Sequence, residues 1–212
     1  MIPDRHNSAQ LEPRLVLDWD GTCTVVDTLW LLLEQFGDYE VFKSAGDRLM
    51  RGEISYRELM ELELSTVKDV TLDEANVWLA ENARVRPGLR ELVARFDPLV
   101  LSSGFEETIR PLLAREGVDV EVVANRVDPR PDGWRVVWNR DAPCDVCGDW
   151  CKRAGLPAGR FVYVGDGYSD RCSAAPAERV FARAGLAEHL DREGLPYEPF
   201  DDLFDVLNAL ER

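Results

Sequence analysis

Five short apolar runs constrain this chain more than any other feature: RLVLD at 14–18, PLVLS at 98–102, VEVVA at 120–124, FVYVG at 161–165 and RVFA at 179–182. Each is rich in Val, Leu or aromatic residues and is bounded by turn residues, the pattern of a strand buried on both faces. Between them lie segments of helical period, GLRELVARF at 88–96, FEETIRPLLARE at 105–116 and the stretch 168–177. Strands that alternate with helices predict a parallel sheet covered on both sides, the doubly wound α/β class.

The alternation breaks once. From Val26 to about Arg86 there is no strand pattern, only four helix-period segments near 26–36, 39–51, 55–67 and 72–82. A chain of 212 residues suits one core with a small insert. The expected division is therefore a core of residues 1–25 and 87–212 and a small helical cap of residues 26–86, inserted after the first strand. RVRPG at 84–88 marks the return, with Pro87 suited to the first turn of a helix. A second irregularity, VVANRVDPRPDGWRVVW, has two strand-like runs around a Pro/Asp/Gly turn and predicts a hairpin.

In an open parallel sheet, ligands bind beyond the carboxyl ends of the strands, so the residues following each strand carry the function. After the first come Asp18 and Asp20, on one face of the strand and two residues apart. Two such carboxylates repel unless a proton or cation lies between them. After the strand at 98–102 come Ser102, Ser103 and Gly104. After the strand at 161–165 comes GDGYSD, with Asp166 and Asp170, and just before that strand, at a helix start, lies Lys152. Carboxylate oxygens select a hard cation such as Mg²⁺. The Ser102 hydroxyl and the backbone N–H groups of Ser103 and Gly104 suit phosphate oxygens, and a lysine adds a compact positive charge. The set predicts phosphoryl transfer, with Asp18 as nucleophile. Trp19 lies on the opposite face and is expected in the core.

LVLDWDGT, LVLSSG, the CK pair at Cys151–Lys152 and VYVGDGYSD resemble, in order, the four motifs of the haloacid dehalogenase superfamily. The helical insert resembles the cap of its phosphoserine-phosphatase-like branch. The resemblance implies a Rossmannoid core in which Asp18 attacks phosphorus, while Asp20 protonates the leaving oxygen and then activates water. It implies that Ser102 and Lys152 hold phosphoryl oxygens. The implied Mg²⁺ ligands are the Asp18 side chain, the Asp20 carbonyl and Asp166, with Asp170 bound directly or through water. Asp27, nine residues after the nucleophile, matches an acidic substrate-binding position of the cap. Where the phosphoserine enzymes carry a cap arginine, this chain has Glu61 and Glu63. Arg48 and Arg84 are further possible cap contacts.

CDVCGDWCK, GDGYSDRCSA and the tail resemble instead the methionine-salvage group acting on 2-hydroxy-3-keto-5-methylthiopentenyl 1-phosphate. Phosphoserine, phosphocholine and phosphoethanolamine phosphatases remain alternatives, as does transfer of the phosphoryl group to an alcohol. A non-catalytic binding module would be expected to have lost some of these acids, and all are present.

A formal charge of −15 leaves no basic stripe for nucleic acid. No apolar stretch reaches the length of a membrane span, and the polar N-terminus, His6 included, has no signal-peptide pattern. The expected partner is a small phosphorylated metabolite, and the expected state a monomer or homodimer. Five cysteines, an odd number, do not resemble a secreted disulfide framework and point to a cytoplasmic protein. Cys144, Cys147 and Cys151 form C-x₂-C-x₃-C, either reduced thiols beside the lysine turn or, with Cys23 or Cys172, a zinc site.

Overall fold

The computed structural model describes residues 13–212, so the N-terminus discussed above, with His6, lies outside the described residues. Strand β1 (Arg14–Leu17) sits at the centre of a seven-stranded sheet. On one side follow β2 (Leu99–Phe105), β3 (Glu121–Asp128) and the edge strand β4 (Arg135–Val137). On the other follow β5 (Phe161–Gly165), β6 (Arg179–Ala182) and β7 (Glu198–Pro199). All neighbours are parallel except β4, which runs antiparallel to β3 with Val127 opposite Val136. Leu17 of β1 pairs with Val100 and Val164, so the carboxyl ends of β1 and β5 finish together while β2 continues past them to Phe105.

The strands alternate faces. Leu15, Leu17, Val100, Val162 and Val164 enter one core, and Val16, Leu99, Leu101, Phe161 and Tyr163 the other. Each is nearly fully buried, and removing such a side chain from water contributes about 1.5–3 kcal/mol. This two-sided burial is why the strand sequences read as continuous apolar runs.

Between β1 and β2 the chain forms α1 (Thr28–Phe36), α2 (Tyr39–Met50), α3 (Tyr56–Leu64) and α4 (Leu72–Asn82), then α5 (Leu89–Phe96). Starts are set by local sequence: Asp38 caps α2, while Ser55 with Glu58 and Thr71 with Glu74 form capping boxes on α3 and α4. The chain leaves and re-enters the sheet region through two adjacent segments. Val25 N–H donates to the Arg84 carbonyl (2.9 Å), and Arg86 N–H to the Cys23 carbonyl (2.8 Å). The buried Arg86 guanidinium donates to the carbonyls of Gly21, Thr22 and Asp201 (2.8 Å each) and Thr24 (3.1 Å).

The remaining helices are α6 (Glu106–Arg115), α7 (Arg171–Ala174), α8 (Ala184–Glu193) and α9 (Leu203–Leu210). The helix expected at 168–177 is instead a 3₁₀ turn at Tyr168–Asp170 followed by the four-residue α7. Pro176 cannot donate an intrahelical hydrogen bond and disfavours helix in the residue before it. The turn of the β3–β4 hairpin leans on the insert: Trp134 donates its backbone N–H to Val67 (3.1 Å) and its indole N–H to Val70 (2.9 Å). Trp19 is fully buried, as its position opposite the two aspartates implied. Among the described residues no helix is long and apolar enough to cross a membrane.

Candidate active site

The ends of β1, β2 and β5 open under the insert into a cleft of about 320 Å³. Asp18 is the first residue beyond β1, and a single wide turn follows, closed by Thr24 N–H on the Trp19 carbonyl (3.0 Å). That turn requires Gly21, whose φ of +77° is left-handed and at which a Cβ would stand 2.2 Å from an Asp166 carboxylate oxygen. Strand β2 runs three residues further than its sequence suggested. Leu101 pairs with Val123 and Phe105 with Asn125, so Ser102, Ser103 and Gly104 form an irregular bulge rather than a loop. The Asn125 side-chain amide holds the bulge by donating to the Ser103 carbonyl (2.8 Å). Within it, Gly104 N–H donates to the Ser102 hydroxyl (2.8 Å), and a Cβ on Gly104 would lie 2.7 Å from an Asp20 oxygen.

Lys152 opens a 3₁₀ turn at Lys152–Gly155 and is buried to 1% exposure. Its ammonium donates to Asp18 and lies 2.6 Å from Asp170. Burial alone would lower its pKa, but the Asp170 and Asp18 charges outweigh that and hold it well above the ordinary lysine range. Asp170 is wholly buried. Besides the lysine it accepts from the Tyr163 hydroxyl (2.7 Å) and from the backbone N–H groups of Asp166 (2.9 Å) and Gly167 (2.8 Å). Asp166 follows β5 directly and accepts from the Thr22 hydroxyl (3.2 Å).

One carboxylate oxygen from each of Asp18, Asp166 and Asp170 lies within 4.8 Å of the others. Asp18 is pushed up to about 7, by burial first and the Asp170 charge second, against the pull of Lys152. Asp166 rises to about 8 through burial and then the Asp18 and Asp170 charges. Three hard oxygen donors whose mutual repulsion the Lys152 ammonium relieves only in part fit a divalent cation, which would reverse both effects. The Asp20 side chain is not part of this cluster. It turns toward α1, where it accepts from the backbone N–H (2.9 Å) and the hydroxyl of Thr28. Burial and the nearby Asp27 charge raise Asp20 to about 7, while the Thr28 hydrogen bonds pull it down.

The sequence-derived residues are thus brought to one edge of the sheet. Asp18, Asp20, Ser102, Ser103, Gly104, Asp166 and Asp27 line the cleft, with Lys152 and Asp170 buried behind it. Asp27 also caps α1, accepting from Trp30 N–H (2.9 Å). Arg48 points to the surface beside Glu53 (4.0 Å), and Arg84 is exposed; neither lines the cleft. Thr28, Tyr163, Asn125 and Arg86 were not signalled by the sequence. Each acts through a contact with a residue far along the chain or across a turn, which strand-end reading does not capture.

The outer part of the cleft belongs to the insert. Leu29, Leu49, Leu59, Met50 and Met60 supply apolar wall, and Trp30, Phe42 and Tyr56 supply rings, with Tyr168 of the turn after β5 stacked on Tyr56. Glu63 of α3 lines it at 2% exposure, pushed up to about 8 by burial and then by the Asp27 charge. No lysine or arginine is among the described residues that line the cleft.

The sequence profile of the haloacid dehalogenase-like hydrolases matches residues 15–175. A 2-hydroxy-3-keto-5-methylthiopentenyl-1-phosphate phosphatase of Geobacillus kaustophilus is 30% identical over 210 residues, covering 93% of this chain and 95% of its own. Pdp3-interacting factor 1 of Schizosaccharomyces pombe is 28% identical over 214 residues, covering 92% and 93%. Among solved structures, a phospho-aspartyl intermediate analogue of phosphoserine phosphatase superposes with a TM-score of 0.68 at 19% identity, covering 93% of this chain and 98% of that one.

Proposed function

This chain belongs to the haloacid dehalogenase-like hydrolase family, and we propose that it is a Mg²⁺-dependent phosphomonoesterase whose substrate carries no carboxylate. The observation that carries the reaction class is the meeting of Asp18, Asp166 and Asp170 within 4.8 Å, with Lys152 against two of them. Those three carboxylates, with the Asp20 carbonyl, would hold the cation, which when bound offsets the charge on the carboxylates and on the phosphoryl oxygens. Asp18 attacks phosphorus and forms the aspartyl-phosphate, while Asp20 gives its proton to the departing alkoxide. Asp20, now ionised, takes a proton from the water that attacks the aspartyl-phosphate, releasing inorganic phosphate and restoring both carboxyl groups. Ser102, Lys152 and the backbone N–H of Ser103 hold phosphoryl oxygens, and the Gly104 N–H joins them by turning from the Ser102 hydroxyl to which it donates. Residues 26–86 act as a cap that excludes bulk water, and Asp27 sits at its inner edge.

The substrate follows from the wall of the insert. Phosphoserine needs a cation for its carboxylate, and the lining offers Glu63 and Asp27 instead. Apolar side chains and two methionines suit a thioether tail, and a protonated Glu63 suits a keto or hydroxyl oxygen. These features support a substrate of the kind named for the Geobacillus relative, 2-hydroxy-3-keto-5-methylthiopentenyl 1-phosphate. A second reading, phosphocholine or phosphoethanolamine, rests on the four aromatic rings beside two acids, a setting that suits an ammonium group. Five unpaired thiols support a reducing cytoplasm as the place of action.

Phosphate release from these esters and from phosphoserine, with Mg²⁺ or with EDTA, tests the proposal. Turnover is expected to require Mg²⁺, to vanish in Asp18→Asn and to be lowest on phosphoserine. Mg²⁺-independent turnover, or a preference for phosphoserine, would count against it.

A further inference from the structure

Four cysteines stand outside the phosphatase machinery. Cys144, Cys147 and Cys151 lie in the segment between β4 and β5, and Cys172 is the second residue of α7. Their sulfur atoms all lie within 4.8 Å of one another, and those of Cys144 and Cys172 are 3.9 Å apart. Zinc–thiolate bonds of about 2.3 Å place the sulfurs of a tetrahedron about 3.8 Å apart. The four thiols are therefore already close to the positions such an ion requires.

The surrounding backbone supports the same chemistry. Val146 N–H donates to the Cys144 sulfur (3.4 Å), which stabilises a thiolate. The turn that presents Cys144 and Cys147 is closed by Gly148 N–H on the Cys144 carbonyl (2.8 Å) and by Cys144 N–H on the Asp149 carbonyl (2.9 Å). It passes through Gly148 at φ +73°, a conformation glycine adopts without strain. Arg153 donates to the Cys172 carbonyl (2.7 Å) and lies 3.9 Å from its sulfur, a positive charge beside what would be a doubly negative centre. The fifth cysteine, Cys23, is buried in the turn after β1 and is not part of the cluster.

We propose that Cys144, Cys147, Cys151 and Cys172 bind one Zn²⁺ as a closed tetrathiolate site. Four protein ligands leave no open position, so the ion is structural. Its place in the chain says what it holds. Cys151 immediately precedes Lys152, and Cys172 follows Asp170 by two residues, so the ion clamps together the two segments that present the Lys152–Asp170 pair. Soft thiolates and hard carboxylates select different metals, and the two sites do not compete. Zinc binding stands independently of the phosphatase reading; only its effect on Lys152 rests on that reading.

The test is metal analysis of the full chain purified under reducing conditions without added metal, followed by exchange with Co²⁺. Roughly one zinc per chain is expected, and Co²⁺ is expected to give thiolate charge-transfer absorption in the near ultraviolet with intense tetrahedral visible bands. Asp18→Asn should leave those bands unchanged. Cys147→Ser, at an exposed position outside the hydrophobic core, should weaken zinc at least about tenfold in chelator competition. The double variant Cys147→Ser/Cys172→Ser should lose it. A reduced, folded protein with no zinc and four reactive thiols would overturn the proposal. So would a disulfide among the four, iron in place of zinc, or cobalt bands that survive the double variant.

Discussion

Thr28, the first residue of α1, donates both its backbone N–H (2.9 Å) and its hydroxyl to the carboxylate of Asp20. The insert thereby directly reaches the carboxylate to which we assign proton transfer. Those hydrogen bonds favour the ionised carboxylate, and burial opposes them. Thr28→Val removes the hydroxyl and raises the Asp20 pKa beyond about 7. The ascending limb of kcat, where Asp20 must be ionised to take the proton from water, is expected to move to higher pH. Turnover at neutral pH is expected to fall roughly tenfold or more. Steady-state kinetics against pH at saturating Mg²⁺ checks this, and an unmoved limb would separate Thr28 from proton transfer.

The raised carboxyls at the sheet edge set a pH dependence of stability. Asp18 at about 7 and Asp166 at about 8 keep protons that the unfolded chain, with carboxyls near 3.8, releases. Between about pH 4 and 8 the folded state binds more protons than the unfolded one, so stability is present at the acid end and lost as pH rises through 7 and 8. Cation-free protein is expected to melt at a lower temperature near the alkaline end of this window. Mg²⁺ should stabilise most there, because its ligands are already ionised. A melting series with EDTA or Mg²⁺ decides it, and a cation-free protein that gains stability toward pH 8 would mean that the carboxylates are ionised without a metal.

Glu63 distinguishes the two substrate readings. Its carboxyl is neutral below about pH 8 and charged above. For a phosphate ester with an uncharged thioether tail, KM in the wild type should rise as pH passes 8, and in Glu63→Gln should stay flat. For an ammonium substrate the sign reverses, since the new negative charge assists binding. KM across pH 7–9 on both substrate types reads the sign directly.

Arg86 is the structural tie between the turn after β1 and the tail of the chain. Its guanidinium serves the carbonyls of Gly21, Thr22, Thr24 and Asp201. Arg86→Ala leaves these carbonyls without their charged donor and is expected to cost about 3 kcal/mol or more of stability. Arg86→Lys should recover little, because an ammonium cannot reproduce the planar fork. Urea unfolding of both variants measures the effect, and a loss well under about 1 kcal/mol would show that water replaces the side chain.

The sheet was readable because its strands are buried on both faces, and a doubly buried strand has no choice but to be continuously apolar. The site was readable because Asp18 and Asp166 sit where β1 and β5 stop and Ser102 where the regular pairing of β2 breaks. What escaped depends on contacts between distant segments. Nothing near Asn125 announces that its amide will hold the bulge at Ser103, and nothing near Tyr163 that its hydroxyl will reach Asp170. The extended β2 and the truncated helix after Tyr168 are errors of the same kind at element ends, where pairing partners or a proline decide the boundary. The fourth cysteine was open between Cys23 and Cys172, since only the folded chain brings α7 beside the segment before β5.

The two hydrogen bonds that join Val25 to Arg84 and Arg86 to Cys23 make the exit from the sheet and the return to it next-door neighbours. Seen from the sheet, everything between them is a detour that begins and ends at one place. The entropy of closing such a detour grows only with the logarithm of its length. Helical blocks of other sizes can therefore be closed at this point for little added entropy, and a block that keeps Thr28 on the Asp20 carboxylate would leave that group held as it is while the outer wall of the cleft is exchanged.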